Sequence, residues 1–246
     1  MKKYAYILTL ALLTSTIYSH DLYAKEYTTD MMECDDVDDI ELCIDKETGD
    51  YVNGIFKDYY DNGKIKAEVQ FKDGKHDGIT KVYYDNGKIQ AEATYKDGKQ
   101  NGIFKSYYEN GQLEVETTYK DDKKDGLFKK YYENGHLMTE ATFKDDRPDG
   151  ISKMYHDNGK ILFEATYKDG KQNGISKTYY ENGQLEAETT YKNDKKDGIF
   201  KKYYENGQLE AETTYKNDEL DGVAKLYHEN GKLKTTETYK NGTAVN

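Results

Sequence analysis

The chain has 246 residues, a formal net charge of -11, 34% charged residues, one Pro, no Trp and 26 Tyr. Leu, Ile, Val and Phe together make up about 17% of it, below the roughly 20% that normally accompanies a packed interior. So little aliphatic volume excludes a large two-layer enzyme domain with a deep core, and a folded state must draw on Tyr and on strict periodicity instead.

Lys2 and Lys3 head an uncharged, largely apolar stretch, Tyr4 to Tyr18, with the small residues Ser19 and Ala24 after it. This is the layout of an export signal over residues 1–24, and its apolar run is shorter than the roughly 20 residues of a spanning helix. The mature protein is therefore expected to be exported, whether periplasmic, cell-surface or secreted, and not membrane-spanning once the signal is removed. Residues 25–53 form an acidic leader, with eleven acids between Glu26 and Asp50 against Lys46 alone. Its two cysteines, Cys34 and Cys43, are expected to form one local disulfide in an oxidising compartment. With no histidine near them in sequence, they do not read as a zinc site. Residues 40–53 are read as an edge hairpin capping the body of the chain. The run Asp35 to Glu41 lacks the alternating acids and central Gly of a calcium loop, and no basic patch offers itself to nucleic acid.

From residue 54 onward a 24-residue period takes over. Gly54, Gly78, Gly102, Gly126, Gly150, Gly174, Gly198 and Gly222 are evenly spaced, as are Gly63, Gly87, Gly111, Gly135, Gly159, Gly183, Gly207 and Gly231. Eight units succeed one another without insertion or deletion. In each, two short runs rich in Tyr, Ile and Thr flank Asn-Gly, a strong hairpin signal. A three-residue loop, Glu109-Asn110-Gly111, sets Tyr107 opposite Leu113 and accounts for the recurrent Gly, because a Cβ would clash there. With unbroken alternation, Ile103 faces Thr117, and Ile103, Tyr107, Leu113, Val115 and Tyr119 share a face, with Leu127 joining them across the second turn. The expected fold is all-β: an elongated antiparallel β-meander of eight hairpin repeats, about sixteen strands in a single-layer twisted or superhelical sheet. A lysine on the Ile/Tyr face of every unit (Lys57, Lys81, Lys105, Lys129, Lys153, Lys177, Lys201, Lys225) excludes a lipid-facing barrel wall.

The signature Tyr-Tyr-Glu-Asn-Gly-Gln-Leu-Glu, then Tyr-Lys-Asp/Asn and Asp-Gly, as at 107–126 and 203–222, resembles MORN-repeat variants. Such units also occur in bacterial YwqK-family antitoxins and in exported 24-residue-repeat proteins. The resemblance spans residues 54–245 and implies a β-hairpin array used for interaction, with membrane-lipid contact, scaffolding and toxin neutralisation among the family's proposed roles. Neutralising a cytosolic toxin fits poorly with an export signal.

Alternation places a second aromatic stripe on the opposite face: Tyr60, Tyr84, Tyr108, Tyr132, Tyr180 and Tyr204, with His156 and His228 in the same series. Glu68, Glu92, Glu116, Glu140, Glu164, Glu188 and Glu212 are expected beside it. Such a ladder can stack on sugars or anchor a protein, or it can simply brace neighbouring strands. His76 and His136 fall at turns. No Ser/His/Asp set, phosphate loop or metal motif occurs, so no catalytic residue, metal or cofactor is assigned. The functional expectation is a non-enzymatic, monomeric exported protein presenting a repetitive surface to a protein or cell-envelope component. The alternative is an antitoxin-type immunity module, and a further reading is binding of wall glycan or lipid headgroups.

Overall fold

Each repeat takes its shape from two unlike turns. At the first, Tyr108 N donates to Gln112 O at 2.8 Å and Gly111 N to Tyr108 O at 2.7 Å, enclosing the loop Glu109-Asn110-Gly111. Gly111 sits at φ +92°, a left-handed conformation costly for any residue with a Cβ. Asn110 Oδ1 accepts from Gln112 N and completes the loop. The second turn is the pair Asp121-Asp122, both at positive φ (+49° and +66°), closed by Lys120 opposite Lys123. Two-residue turns of this hand match the native twist of the flanking strands. Asp, Asn and Gly, which tolerate that geometry, fill the position in every repeat.

A computed structural model describes residues 25–37 and 40–245; the predicted export signal, 1–24, lies outside the described residues. The leader gives β1 (Lys25–Tyr27), β2 (Met32–Val37) and β3 (Ile40–Asp45), and the first repeat gives β4 (Gly54–Tyr59) and β5 (Ile65–Lys72). One sheet of twenty strands runs through the eight hairpins. Sixteen of these are the hairpin arms, two are short leading pieces (Lys75–His76 and Glu219–Leu220), and β1 and Thr243–Val245 make up the rest. All pairings are antiparallel except β1 with β4, which is parallel. The expected meander is thus the observed one, and each hairpin packs on its sequence neighbours.

The leader holds more than the expected hairpin. Within 40–53 Ile44 makes an antiparallel bridge with Tyr51 and Val52 N donates to Cys43 O, and β3 also pairs with β2 in a separate two-stranded sheet. The first edge of the main sheet is covered by β1. Cys34 and Cys43 face each other across β2–β3 and are disulfide-bonded. Beneath this hairpin lies a small core of Tyr27, Met32, Cys43, Val52, Val69 and Phe71, with Met31 and Phe56 against it.

The alternation of faces also differs from expectation. Leu113 pairs with Tyr107, but Val115 pairs with Ser106, so Glu114 is an unpaired bulge residue. The same extra residue recurs in all eight hairpins. One inserted residue reverses every later side chain. Ile103 therefore lies opposite Thr118, and Thr117 opposite Phe104. One face carries Phe104, Ser106, Val115, Thr117 and Tyr119, and the other carries Ile103, Lys105, Tyr107, Glu116 and Thr118. Leu127 shares a face with Ile103 and is turned away from Tyr119, because Asp125, Gly126 and Leu127 together span the place opposite Thr118.

The centre of the first face is the line of burial in the array: Val69, Ala93, Thr117, Ala141, Ala165, Thr189 and Thr213 are all at most 9% exposed. Aromatic rings close over it edge-on, with Phe104–Tyr119 at 6.3 Å, Phe128–Phe143 at 5.9 Å and Phe200–Tyr215 at 6.1 Å between centroids. Lys124 and Lys196 lay their ammonium groups over these rings.

Substitutions on this face and in the turns test the packing. Thr117 Oγ1 is buried without a hydrogen-bond partner, and an unpaired hydroxyl costs about 1–3 kcal/mol. Thr117→Val, the side chain already present at Val69, is expected to raise stability by about 1 kcal/mol in urea unfolding. Gly198 sits at φ +131°, where a Cβ would fall 2.9 Å from Thr190 Cβ, whereas a Cβ on Gly63 at φ +80° meets nothing within 4 Å. Gly198→Ala should therefore cost about 2–3 kcal/mol and Gly63→Ala about 1. Equal losses would remove the packing argument.

Candidate binding surface

The second face is built from the first strand of each hairpin. Ile79, Ile103, Leu127, Ile151, Ile175, Ile199 and Val223 stand one per repeat, and all are 45–53% exposed. Strand spacing puts successive members about 10 Å apart. Two residues on, a lysine row runs beside the glutamates of the second strand. Lys105 lies 3.8 Å from Glu116, Lys177 3.6 Å from Glu188, and Lys153 between Glu140 and Glu164 at 3.9 and 3.7 Å. Pairs this open to water contribute little to stability, but they leave the face nearly neutral and keep the lysine stems low beside the aliphatic ladder.

At Tyr83-Tyr84 and Tyr107-Tyr108 the adjacent tyrosines reach opposite ways. Tyr83, Tyr107 and Tyr155 donate back to the preceding repeat, to Glu68, Glu92 and Glu140 at 2.6, 2.8 and 2.7 Å. Burial, then the carboxylate each one meets, pushes these three phenols up to about 12. Tyr60, Tyr84, Tyr108, Tyr132, Tyr180 and Tyr204 reach forward and donate to the backbone carbonyls of Tyr83, Tyr107, Tyr131, Tyr155, Tyr203 and Tyr227. Their rings are half-buried, so each hydroxyl of this stripe already has a partner one repeat ahead. The glutamate ladder accompanies Lys105 and Tyr107 rather than Tyr108, as the Glu114 bulge requires.

Under the leader hairpin lies a half-open cavity of about 410 Å³ lined by Thr29, Met32, Cys34, Glu41, Phe56, Val69, Phe71 and His76. Sequence places His76 at a turn, far from Glu41; the fold sets its Nε2 3.2 Å from Glu41 Oε2. Phe71 and Tyr95 hold the imidazole edge-on at 4.7 and 5.2 Å. Burial lowers its pKa while Glu41 opposes the shift. No local motif marks this meeting, since Gly74 brings it about: Cys43 N donates to Gly74 O at 2.7 Å and ties β3 to the turn before His76. His156 keeps its place in the stripe and His136 at its loop. Among the described residues no helix is long and apolar enough to cross a membrane.

The MORN repeat variant model matches eight successive stretches, 52–73, 77–97, 100–121, 124–145, 148–169, 172–193, 196–217 and 220–241. The chain belongs to the MORN repeat variant family. MORN repeats are non-catalytic modules that bind proteins or lipids, and each matched stretch here coincides with one hairpin. No curated protein matches the chain. Among solved structures it is similar to a TarM mutant of S. aureus in complex with fondaparinux, alpha-GlcNAc-glycerol and UDP. That match has 14% identity and a TM-score of 0.27, covering 39% of this chain and 19% of that one. It is also similar to a porin-like protein from Bacteroides uniformis, at 11% identity and TM-score 0.19, covering 86% and 97% of the two chains. The chain spans about a fifth of the TarM chain, and likenesses this distant carry no inference about activity.

The raised phenols of this MORN array imply a pH response. Folding favours the neutral phenol, so their contribution is complete below about pH 10 and is lost as pH rises towards about 12. Wild-type urea midpoints should fall across that window more steeply than those of a Tyr83→Phe, Tyr107→Phe, Tyr155→Phe variant. Parallel curves would show that the three phenols do not contribute.

Proposed function

We propose that this chain is a non-enzymatic exported repeat protein that binds a protein or cell-envelope partner along its second face. The observation that carries the reading is the exposed aliphatic ladder from Ile79 to Val223, one residue per repeat beside a lysine–glutamate row. Contiguous apolar surface on a monomer usually marks an interaction site. Nothing inside the fold requires aliphatic residues there, because the burial line runs along the opposite face. A ladder of equal steps suits an extended partner, engaged weakly at each repeat and strongly in sum. The Tyr108 series enters this reading as a set of inter-repeat braces, its hydroxyls being committed to backbone. Export rests on the signal-like residues 1–24.

The test is affinity capture of the mature protein against its own envelope fraction. Ile103→Asp, Leu127→Asp and Ile151→Asp combined should lower retention of the captured partner roughly tenfold or more. Circular dichroism should stay native, since exposed positions tolerate change. Tyr108→Phe, Tyr132→Phe and Tyr180→Phe combined should keep the partner while losing stability, about 0.5–1.5 kcal/mol for each hydrogen bond. Undiminished capture by the Asp variant would overturn the ladder as the binding surface. A captured toxin silenced by the chain would favour the immunity reading, and retention by purified wall polymer or lipid vesicles alone would favour the glycan or headgroup one.

A further inference from the structure

We infer that the leader hairpin carries a redox-gated metal site, in which reduction of the Cys34–Cys43 disulfide frees two thiolates that, with Glu41 and His76, take one zinc-type divalent cation. Ligand atoms of Cys34, Glu41 and Cys43 already lie within 4.8 Å of one another. His76 Nε2 is 3.2 Å from Glu41 Oε2, close to the ~3.3 Å edge of a tetrahedron whose nitrogen and oxygen arms are about 2.0–2.1 Å. Cys34, Glu41 and His76 line one cavity. The two cysteines sit directly opposite each other on β2 and β3, so side-chain rotation can part their sulfurs to the roughly 3.8 Å that zinc–thiolate arms of about 2.3 Å require. Two thiolates, an imidazole and a carboxylate select a borderline-soft ion over magnesium or calcium.

The scaffold fixes two of these donors on rigid elements. Cys43 is tied through its amide to Gly74 O and through its carbonyl to Val52 N, while His76 is clamped between Phe71 and Tyr95. Such support distinguishes a site from a chance cluster. Four protein donors fill a tetrahedral shell, the closed arrangement of structural zinc.

The redox step needs a dithiol reductant. Its thiolate attacks the exposed Cys34 sulfur and Cys43, fully buried, leaves as thiolate. The reductant's second thiol then resolves the mixed disulfide, yielding two cysteine thiols and the oxidised, disulfide form of the reductant. Zinc binding displaces one proton from each cysteine that is still a thiol. The disulfide links only the two strands of the hairpin to each other, whereas the metal would also tie the hairpin to His76 of the main array.

The full chain, reduced with a phosphine and then exchanged into oxygen-free buffer, is titrated with Co²⁺ and Zn²⁺. We expect one ion per chain, with thiolate-to-cobalt charge transfer and the strong visible bands of tetrahedral cobalt; the oxidised chain should show neither. Glu41→Gln and His76→Phe, which keep shape and stacking, should each weaken zinc by roughly tenfold or more, and Cys34→Ser should cut the charge-transfer band by about half or more, since only the Cys43 thiolate remains. X-ray absorption on the wild-type zinc form needs no variant to fold and should count two sulfur and two nitrogen or oxygen neighbours. A reduced chain without the band, equal metal uptake by the oxidised chain, fewer than two sulfurs around zinc, or folded Glu41→Gln and His76→Phe variants with unchanged affinity would each overturn the site.

Discussion

Everything in this molecule depends on the hydrogen bonds that one hairpin makes with the next. A single sheet has no second layer to bury it, and a 24-residue unit alone offers too little apolar area to offset the entropy of ordering itself. Sideways growth solves this. Each added hairpin covers the flank of the last with backbone pairs and buries the small residue at its centre, and at Phe104, Phe128 and Phe200 it also sets one ring edge-on to another. The tyrosine hydroxyls add a second tie, one reaching back to a glutamate and the other forward to a carbonyl. Stability of this kind accumulates nearly as a one-dimensional sum.

The economy of the arrangement appears in what occupies each face. Burial is assigned to Ala, Thr and aromatic rings, while the Ile103 series, one aliphatic residue per repeat, is left half in water. A fold that needed its aliphatic residues for cohesion would place them the other way round. That inversion separates the cohesive face from the face free to meet something else, and it lets the two be altered independently.

The meander, the loop register and the Gly111 conformation were all legible in the sequence, because each is dictated by a residue type with one physical use: Asn-Gly for the loop, β-branched and aromatic runs for strands. The face assignment was not legible. It hinges on Glu114, and a bulge residue in a polar strand carries no local signal. Its equivalents are Lys66, Gln90, Met138, Leu162, Glu186, Glu210 and Lys234, which share no side-chain chemistry. The identical slip in every copy could be seen only by tracing the ladder across both strands. The meeting of Glu41 with His76 was hidden for a different reason: it depends on where a separate hairpin docks, and docking is decided by Tyr27, Met32, Val52 and Phe71 acting together.

The forward ties span an unvarying interval. Tyr60 to Tyr83, Tyr84 to Tyr107 and Tyr108 to Tyr131 are each 23 positions apart, and loop contacts such as Asn110 to Glu133 keep the same step. Apart from the repeat in which His156, its Nε2 buried without a partner, replaces the tyrosine, each of these modules presents its successor with the same sockets that its predecessor presented to it. Excising one such whole period from the gene, or copying it, would rejoin matching halves. Array length becomes a quantity that genetic slippage can tune, stretching or shortening the molecule's reach while its local architecture stays unchanged.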